Sequence, residues 1–152
     1  MEQLRVEKKG LYEIEVNDNG DTIVFDTLDI DLPFKFNDAY IEANKIIDNF
    51  KRQSVVIGNK KNKGKEYGFL TIEDEEIRKL TNKTLAQIRT VLDSILGEGG
   101  CQKIFGNRLY IGMVNDLFDA LAPHFEKMGI STKTSIDAVI EKYSAKDEDV
   151  LD

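Results

Sequence analysis

The sequence contains one cysteine, Cys101, and one histidine, His124, among its 152 residues. A single thiol cannot close an internal disulfide, so the chain is predicted to reside in a reducing cytoplasm. Catalytic triads and zinc sites need more partners than a lone histidine and a distant lone cysteine can supply. A structural or surface role is therefore predicted for His124.

Long apolar runs and an excess of positive charge are also lacking. No window approaches ~20 apolar residues, the length that a membrane-spanning helix requires, and the start MEQLRVEKKG has no apolar core of the signal-peptide type. The formal net charge is −7, with 28 acidic against 21 basic residues. Such a chain is not drawn to nucleic acid or to anionic membranes by its overall field. No membrane partner is expected, and a nucleic-acid partner is not favoured.

The segment 71–96 has the clearest pattern in the chain. Thr71 can cap a helix, acidic residues occupy 73–76 where the helix dipole favours them, and Gly97 suits a left-handed residue after the helix. A helix of 26 residues is a rod of roughly 39 Å, which needs neighbours along its apolar side. That side is formed by Ile77, Leu80, Leu85, Ile88, Val91, Leu92, Ile95 and Leu96.

Residues 11–31 alternate between apolar and polar side chains as a β-hairpin does, with a turn at Asn19-Gly20. Leu32-Pro33 is predicted to end the second strand, because the residue before proline prefers extended geometry. A two-stranded sheet is marginal alone, so the hairpin must pack on helices, extend with Leu4 to Val6, or pair with another subunit.

Helices are predicted near 37–53, 71–96, 109–128 and 132–143, the first capped by Asn37. Pro123 either kinks the third of these or begins a separate helix. SVVIG at 54–58 and EYGFL at 66–70 are predicted as short strands, and CQKIFG at 101–106 as a short helical turn. The predicted core contains Leu85, Ile88, Leu92, Ile95, Phe105, Leu117, Leu121 and Phe125.

The predicted architecture is a single α+β, mostly α-helical domain over residues 1–152. Its parts are an N-terminal β-hairpin at 1–34, a helical part at 35–143 and a flexible acidic tail at 144–152. A chain of this length normally folds as one domain, which supports this division.

Three clusters suggest chemistry and are given plainer interpretations. The aspartates between 18 and 31 lack the spacing and the closing glutamate of an EF-hand, so a solvated strand edge is favoured. The lysines between 60 and 65 have neither arginine nor interleaved aromatics, so a flexible or partner-facing loop is favoured over a nucleic-acid contact. GEGG at 97–100 follows a helix, which indicates a hinge rather than a phosphate loop. The first cluster consists of Asp18, Asp21, Asp26, Asp29 and Asp31, and the second of Lys60, Lys61, Lys63 and Lys65. No catalytic, cofactor-binding or metal-binding residue is predicted, and the protein is not expected to be an enzyme.

Residues 70–128 resemble a known family. A long helix ending in TVLDSILGEG is followed by CQKIFGN and then by a helix ending in NDLFDALAPHFEKM. The short turn at 104–106 and the apolar–Pro–aromatic–acidic run at 121–126 resemble those of the tail assembly chaperones of long-tailed, siphovirus-type phages and prophages of Gram-positive bacteria. A β-hairpin followed by helices also suits that family.

The resemblance implies a non-enzymatic protein of the host cytoplasm that is absent from the mature virion. Many copies would coat the tape-measure protein, recruit tail-tube subunits and leave as the tube polymerises. The implied partners are therefore the tape-measure protein, the tail-tube protein and further copies of the chain, as a homo-oligomer that can form an open spiral.

Three alternatives remain open. Another phage morphogenesis component, such as a connector or a minor tail protein, would have a similar composition. A nucleic-acid-binding regulator would depend on the lysines between 60 and 65, and a metal-dependent hydrolase on the aspartates at 18–31.

Overall fold

A computed structural model describes residues 1–7, 9–59 and 66–129. The fold is α+β and mostly helical, as predicted, with an N-terminal antiparallel hairpin followed by helices. The predicted helix at 132–143 and the tail at 144–152 lie outside the described residues. The elements are β1 (Leu11–Glu15), β2 (Thr22–Asp26), α1 (Leu32–Gly58), β3 (Glu66–Tyr67), β4 (Leu70–Thr71), α2 (Ile72–Leu96), α3 (Gly100–Phe105) and α4 (Met113–Lys127).

The hairpin pairs Leu11 with Asp26 at its open end, and its alternation buries Ile23 and Phe25 on the inner face. Gly20 adopts the positive φ of 82° that the predicted turn requires. The second strand ends at Asp26 rather than at residue 31. Asp26 at the strand end and Asp29 after it each accept a hydrogen bond from the backbone N–H two residues on, which turns the chain out of the strand.

Helix α1 differs from the prediction at both ends. It begins at Leu32 rather than at Asn37, with Pro33 in the first turn, where a missing N–H needs no partner and the fixed φ suits a helix. It continues to Gly58, so the predicted strand at 54–58 is wrong. The helix continues because it packs along α2, and this packing overrides the β-propensity of that segment.

Helix α2 confirms its prediction to within one residue. Thr71 forms a capping box with Asp74: Thr71 Oγ1 accepts from the Asp74 N–H at 3.2 Å, and Asp74 Oδ2 accepts from the Thr71 N–H at 2.9 Å. At the other end Gly97 has φ 90° and ψ 164°. The left-handed residue is instead Gly99, with φ 74° and ψ 4°, so the prediction for Gly97 was wrong in this respect.

The core lies between the hairpin, the first half of α1, the second half of α2, and α4. Six of the eight predicted core residues are buried, while Leu85 and Phe105 are partly buried and pack against the core. Phe36 of α1 is central, with its ring centroid 5.3 Å from that of Phe25 and 4.2 Å from that of Phe125. The hairpin and α1 add Ile23, Phe25, Leu32, Phe36, Ala39, Ala43 and Ile47 to the core.

Helix α4 is a single helix that contains Pro123, and it begins at Met113 rather than at residue 109. This resolves the open choice in favour of one helix. α3 confirms the short helical turn predicted at 101–106. Residues 66–67 and 70–71 form a two-residue antiparallel ribbon, so the predicted strand at 66–70 is present as two very short strands around a turn.

Replacing Leu92 by alanine is expected to lower the free energy of unfolding by roughly 2–5 kcal/mol, because it removes buried methyl groups and leaves a cavity. Leu92 is fully buried near the C-terminal end of α2, and Phe125→Ala is expected to cost a similar amount. Urea denaturation measures both effects. Gln87→Ala, at an exposed position on the same helix, is the control, and wild-type midpoints for both core variants would contradict this placement.

Replacing Thr71 by alanine is expected to cost about 0.5–2 kcal/mol, because the first turn of α2 then loses its capping oxygen. Thr71→Ser keeps that oxygen and is expected to retain most of the stability. Equal urea midpoints for the alanine and serine variants would show that the capping box does not stabilise the helix.

Candidate interaction surface

The surface of the fold retains large apolar side chains at both ends of α1 and along its outer side. Leu28 and Ile30 lie in the β2–α1 connection, Phe34 and Ile41 on α1, and Val55 and Val56 near its end. Scattered exposed apolar residues are normal, but residues grouped with charged neighbours are typical of sites that bind other proteins.

The first group is the acidic patch, which consists of Asp26, Leu28, Asp29, Ile30 and Asp31. Asp26 Oδ1 accepts from the Leu28 N–H at 3.0 Å, and Asp29 Oδ1 accepts from the Asp31 N–H at 2.9 Å. These two local bonds fix the backbone of the connection. They hold it in a form that leaves Ile30 84% exposed.

The acidic patch contacts one cation, Lys35, whose Nζ lies 2.8 Å from Asp29 Oδ2. The hydrogen bond from Lys35, followed by that from the Asp31 N–H, lowers the pKa of Asp29. The bond to Asp29 raises the pKa of Lys35, and the charges of Asp31 and Asp26 add to that effect. Among the described residues, this contact comprises one ammonium and the carboxylates of Asp26, Asp29 and Asp31, so acidic groups outnumber the cation.

The second group is the outer face of α1, defined by Phe34 and Ile41. Phe34 is 58% exposed, and Ile41 follows seven residues later on nearly the same side of the helix. The opposite side carries the buried residues Phe36, Ala39 and Ala43. Exposed charged residues, Asp38 and Lys45, lie on the same side as Phe34 and Ile41. The outer face therefore mixes apolar and charged side chains, as protein-binding surfaces do.

The third group is the basic patch, which consists of Lys51, Arg52, Val55 and Val56. Lys51 and Val55, and Arg52 and Val56, are four positions apart and Arg52 and Val55 are three apart, so these pairs are neighbours on the helix surface. All four are exposed, Val55 by 60% and Val56 by 65%. No acidic residue occurs between positions 49 and 59, so this part of α1 carries two positive charges and no negative one.

The basic patch lies on an arm formed by the C-terminal end of α1 and the N-terminal end of α2. Buried residues of α1 stop at Ile47 and those of α2 begin at Thr84. The two helices therefore extend together beyond the core. Phe69, in the turn between β3 and β4, is also exposed at this end. Within the described part of the chain, the side chains that fill the arm are half-buried, among them Phe50, Ile57, Ile77 and Leu80.

The structure gives the predicted site candidates structural roles. Within the ranges 1–7, 9–59 and 66–129, no three His, Cys, Asp or Glu side chains converge as metal ligands. Asp18 and Asp21 lie at the hairpin turn, where Asp21 Oδ2 accepts from Asn17 Nδ2 at 2.7 Å. The cluster Lys60, Lys61, Lys63 and Lys65 lies outside the described residues.

His124 and Cys101 also contribute to the fold. His124 Nδ1 lies 3.0 Å from the Tyr12 hydroxyl, a contact that joins α4 to β1. The Cys101 N–H donates to Asp93 Oδ1 at 2.8 Å, and burial raises the pKa of its thiol. A thiol with a raised pKa remains protonated at neutral pH and is a weak nucleophile.

The sequence did not predict the acidic or the basic patch. Leu28 and Ile30 were assigned to a strand, and Val55 and Val56 to another. The aspartate spacing at 26–31 was the available signal, because aspartates favour local turns in which a carboxylate accepts from a backbone N–H two residues on. For the basic patch, two lysine or arginine residues one turn before two valines were the only signal.

None of the helices in the described part of the chain has the length and hydropathy needed to cross a membrane. No match was found among curated proteins or among solved structures. A model of a family of unknown function (DUF6673) matches residues 19–149, which extend from the hairpin turn past α4. Because the match covers most of the 152 residues, this chain belongs to the family of unknown function DUF6673.

Proposed function

We propose that this protein is a tail assembly chaperone of long-tailed phages and prophages of Gram-positive bacteria. It oligomerises around the tape-measure protein and recruits tail-tube subunits. The observation that carries the proposal is the exposed apolar surface along α1, which accompanies a core that is already closed on the other side of the helix. Such a surface suits a protein that binds other proteins.

The outer face of α1 fits a helical partner. Phe34 and Ile41 are exposed two helical turns apart on one side of α1, with Asp38 between them. A partner helix lying along this side of α1 would bury both side chains, and full burial of each is worth about 1.5–3 kcal/mol. Binding of a helix through apolar anchors at such spacings is a recurring mode of recognition. A tape-measure protein that is long and helical offers many equivalent segments for this contact.

The residues that resemble the chaperone family support the proposal through the fold. Gly106 ends α3 with a φ of 59°, and its carbonyl oxygen accepts from Arg89 Nη2 at 2.9 Å. Leu121 and Phe125 belong to the buried core. These residues hold the helices behind α1, so the resemblance concerns the scaffold that presents the exposed surface.

The charge of the chain agrees with a chaperone role. With a formal net charge of −7, free copies repel each other at long range, which favours solubility. A protein that exposes apolar side chains before it meets its partner requires such protection. The proposed site of action is the cytoplasm of the host cell, and the mature virion is expected to lack the protein.

Co-expression with the tape-measure protein of the same genome tests the proposal. The tape-measure protein is expected to stay in the soluble fraction and to co-purify with the wild-type chain, because its apolar helix is covered. The variant Phe34→Ser/Ile41→Ser is expected to leave most of it in the pellet.

Tyr110→Ser is the matched control, since Tyr110 is also exposed but belongs to the α3–α4 connection rather than to α1. Circular dichroism verifies that each variant keeps its helical content. A tape-measure protein that is equally insoluble with and without the wild-type chain would refute the proposed function.

A further inference from the structure

The acidic patch and the basic patch lie at opposite ends of α1 and have complementary character. The segment 10–35, which contains the acidic patch, has seven acidic residues and one lysine. The segment 49–59, which contains the basic patch, has two basic residues and no acidic one. Each patch also exposes two aliphatic side chains, Leu28 with Ile30 and Val55 with Val56.

We propose that the acidic patch of one copy binds the basic patch of a second copy. This inference rests on the proposed function, because it gives the oligomerisation a specific pair of surfaces. The aliphatic side chains form the centre of the contact, and the carboxylates of Asp26 and Asp31 meet Lys51 and Arg52 around it. An apolar centre with a charged rim is the usual anatomy of a protein interface.

Local effects within one chain do not explain the basic patch. The dipole of α1 favours cations in its last turn, but Lys51 and Arg52 lie before that turn. Valine is a poor helix former, so replacing either exposed valine would cost the helix little stability. Val55 and Val56 nevertheless point their apolar surface to solvent in this chain. A second copy that covers them accounts for both features.

The geometry makes the contact head-to-tail. From Asp31 to Arg52 the helix rises by roughly 32 Å, so the two patches of one copy cannot reach each other. Each copy therefore retains a free acidic patch at one end and a free basic patch at the other. Such a heterologous contact produces a ring when its rotation closes, and an open spiral when it does not.

Sedimentation analysis of the full chain tests the contact without any tape-measure protein. The wild type is expected to gain mass with rising concentration and to lose mass with rising salt, because charge contributes to the contact. The acidic-patch variant is Ile30→Ser/Asp31→Ser, which keeps a capping residue type at the start of α1. The basic-patch variant is Val55→Glu/Val56→Glu. For each variant alone, the dissociation constant of self-association is expected to rise by about tenfold at least.

An equimolar mixture of the two variants separates this contact from other kinds of association. The acidic-patch variant retains an intact basic patch, and the basic-patch variant retains an intact acidic patch. One wild-type contact can therefore form between them, while the second contact is blocked. The mixture is expected to contain pairs of chains and nothing larger, although neither variant forms pairs alone. A symmetric dimer contact through one patch would instead leave the variant with that patch intact dimeric by itself, and unspecific apolar association would not stop at pairs.

Tyr110→Ser again serves as the control and is expected to associate as the wild type does, and circular dichroism verifies the folding of every variant. A wild type that stays monomeric up to high micromolar protein would overturn the proposal. So would unchanged association in either patch variant, or a mixture without pairs. Loss of tape-measure solubility in Phe34→Ser/Ile41→Ser tests the proposed function separately, since that variant leaves both patches intact.

Discussion

Three phenylalanine rings hold the hairpin, α1 and α4 together. Phe36 lies between Phe25 of β2 and Phe125 of α4, at centroid distances of 5.3 Å and 4.2 Å. Aromatic pairs at such distances add to the stabilisation from burial itself. Because Phe36 is in the second turn of α1, the core forms around the first half of this helix. The second half extends past the core with α2, and both the arm and the basic patch depend on this asymmetry.

The sequence predicted α2 well and α1 poorly, for different physical reasons. In α2 the cap at Thr71, the acidic first turn, the apolar stripe and the following glycine all favour the same helix. In α1 the local rules conflict with the packing. Pro33 suggests an extended segment before it, yet it also suits a first helical turn. Val55 and Val56 favour strands, but their segment continues a helix that packs on α2.

The candidate surface was harder to predict than the fold, because exposure is not a property of a local pattern. Leu28 and Ile30 alternate with aspartates as in a strand. Whether they form a strand depends on hydrogen bonds that the carboxylates of Asp26 and Asp29 accept from the backbone. Periodicity identified the core-facing side of each helix. Periodicity could not show that no other element of the described residues covers the arm.

The two ends of α1 differ in packing as well as in charge. The acidic patch adjoins the closed core, whereas the basic patch lies on an arm filled by half-buried side chains such as Phe50 and Leu80. Segments with few buried apolar contacts open at lower free energy than the core. A second copy that binds the arm would therefore stabilise it, because ligands that bind the ordered state favour that state. A contact between a rigid patch and a more adaptable one can also accept small changes of angle between neighbouring copies. A coat that follows a long helical partner requires that tolerance.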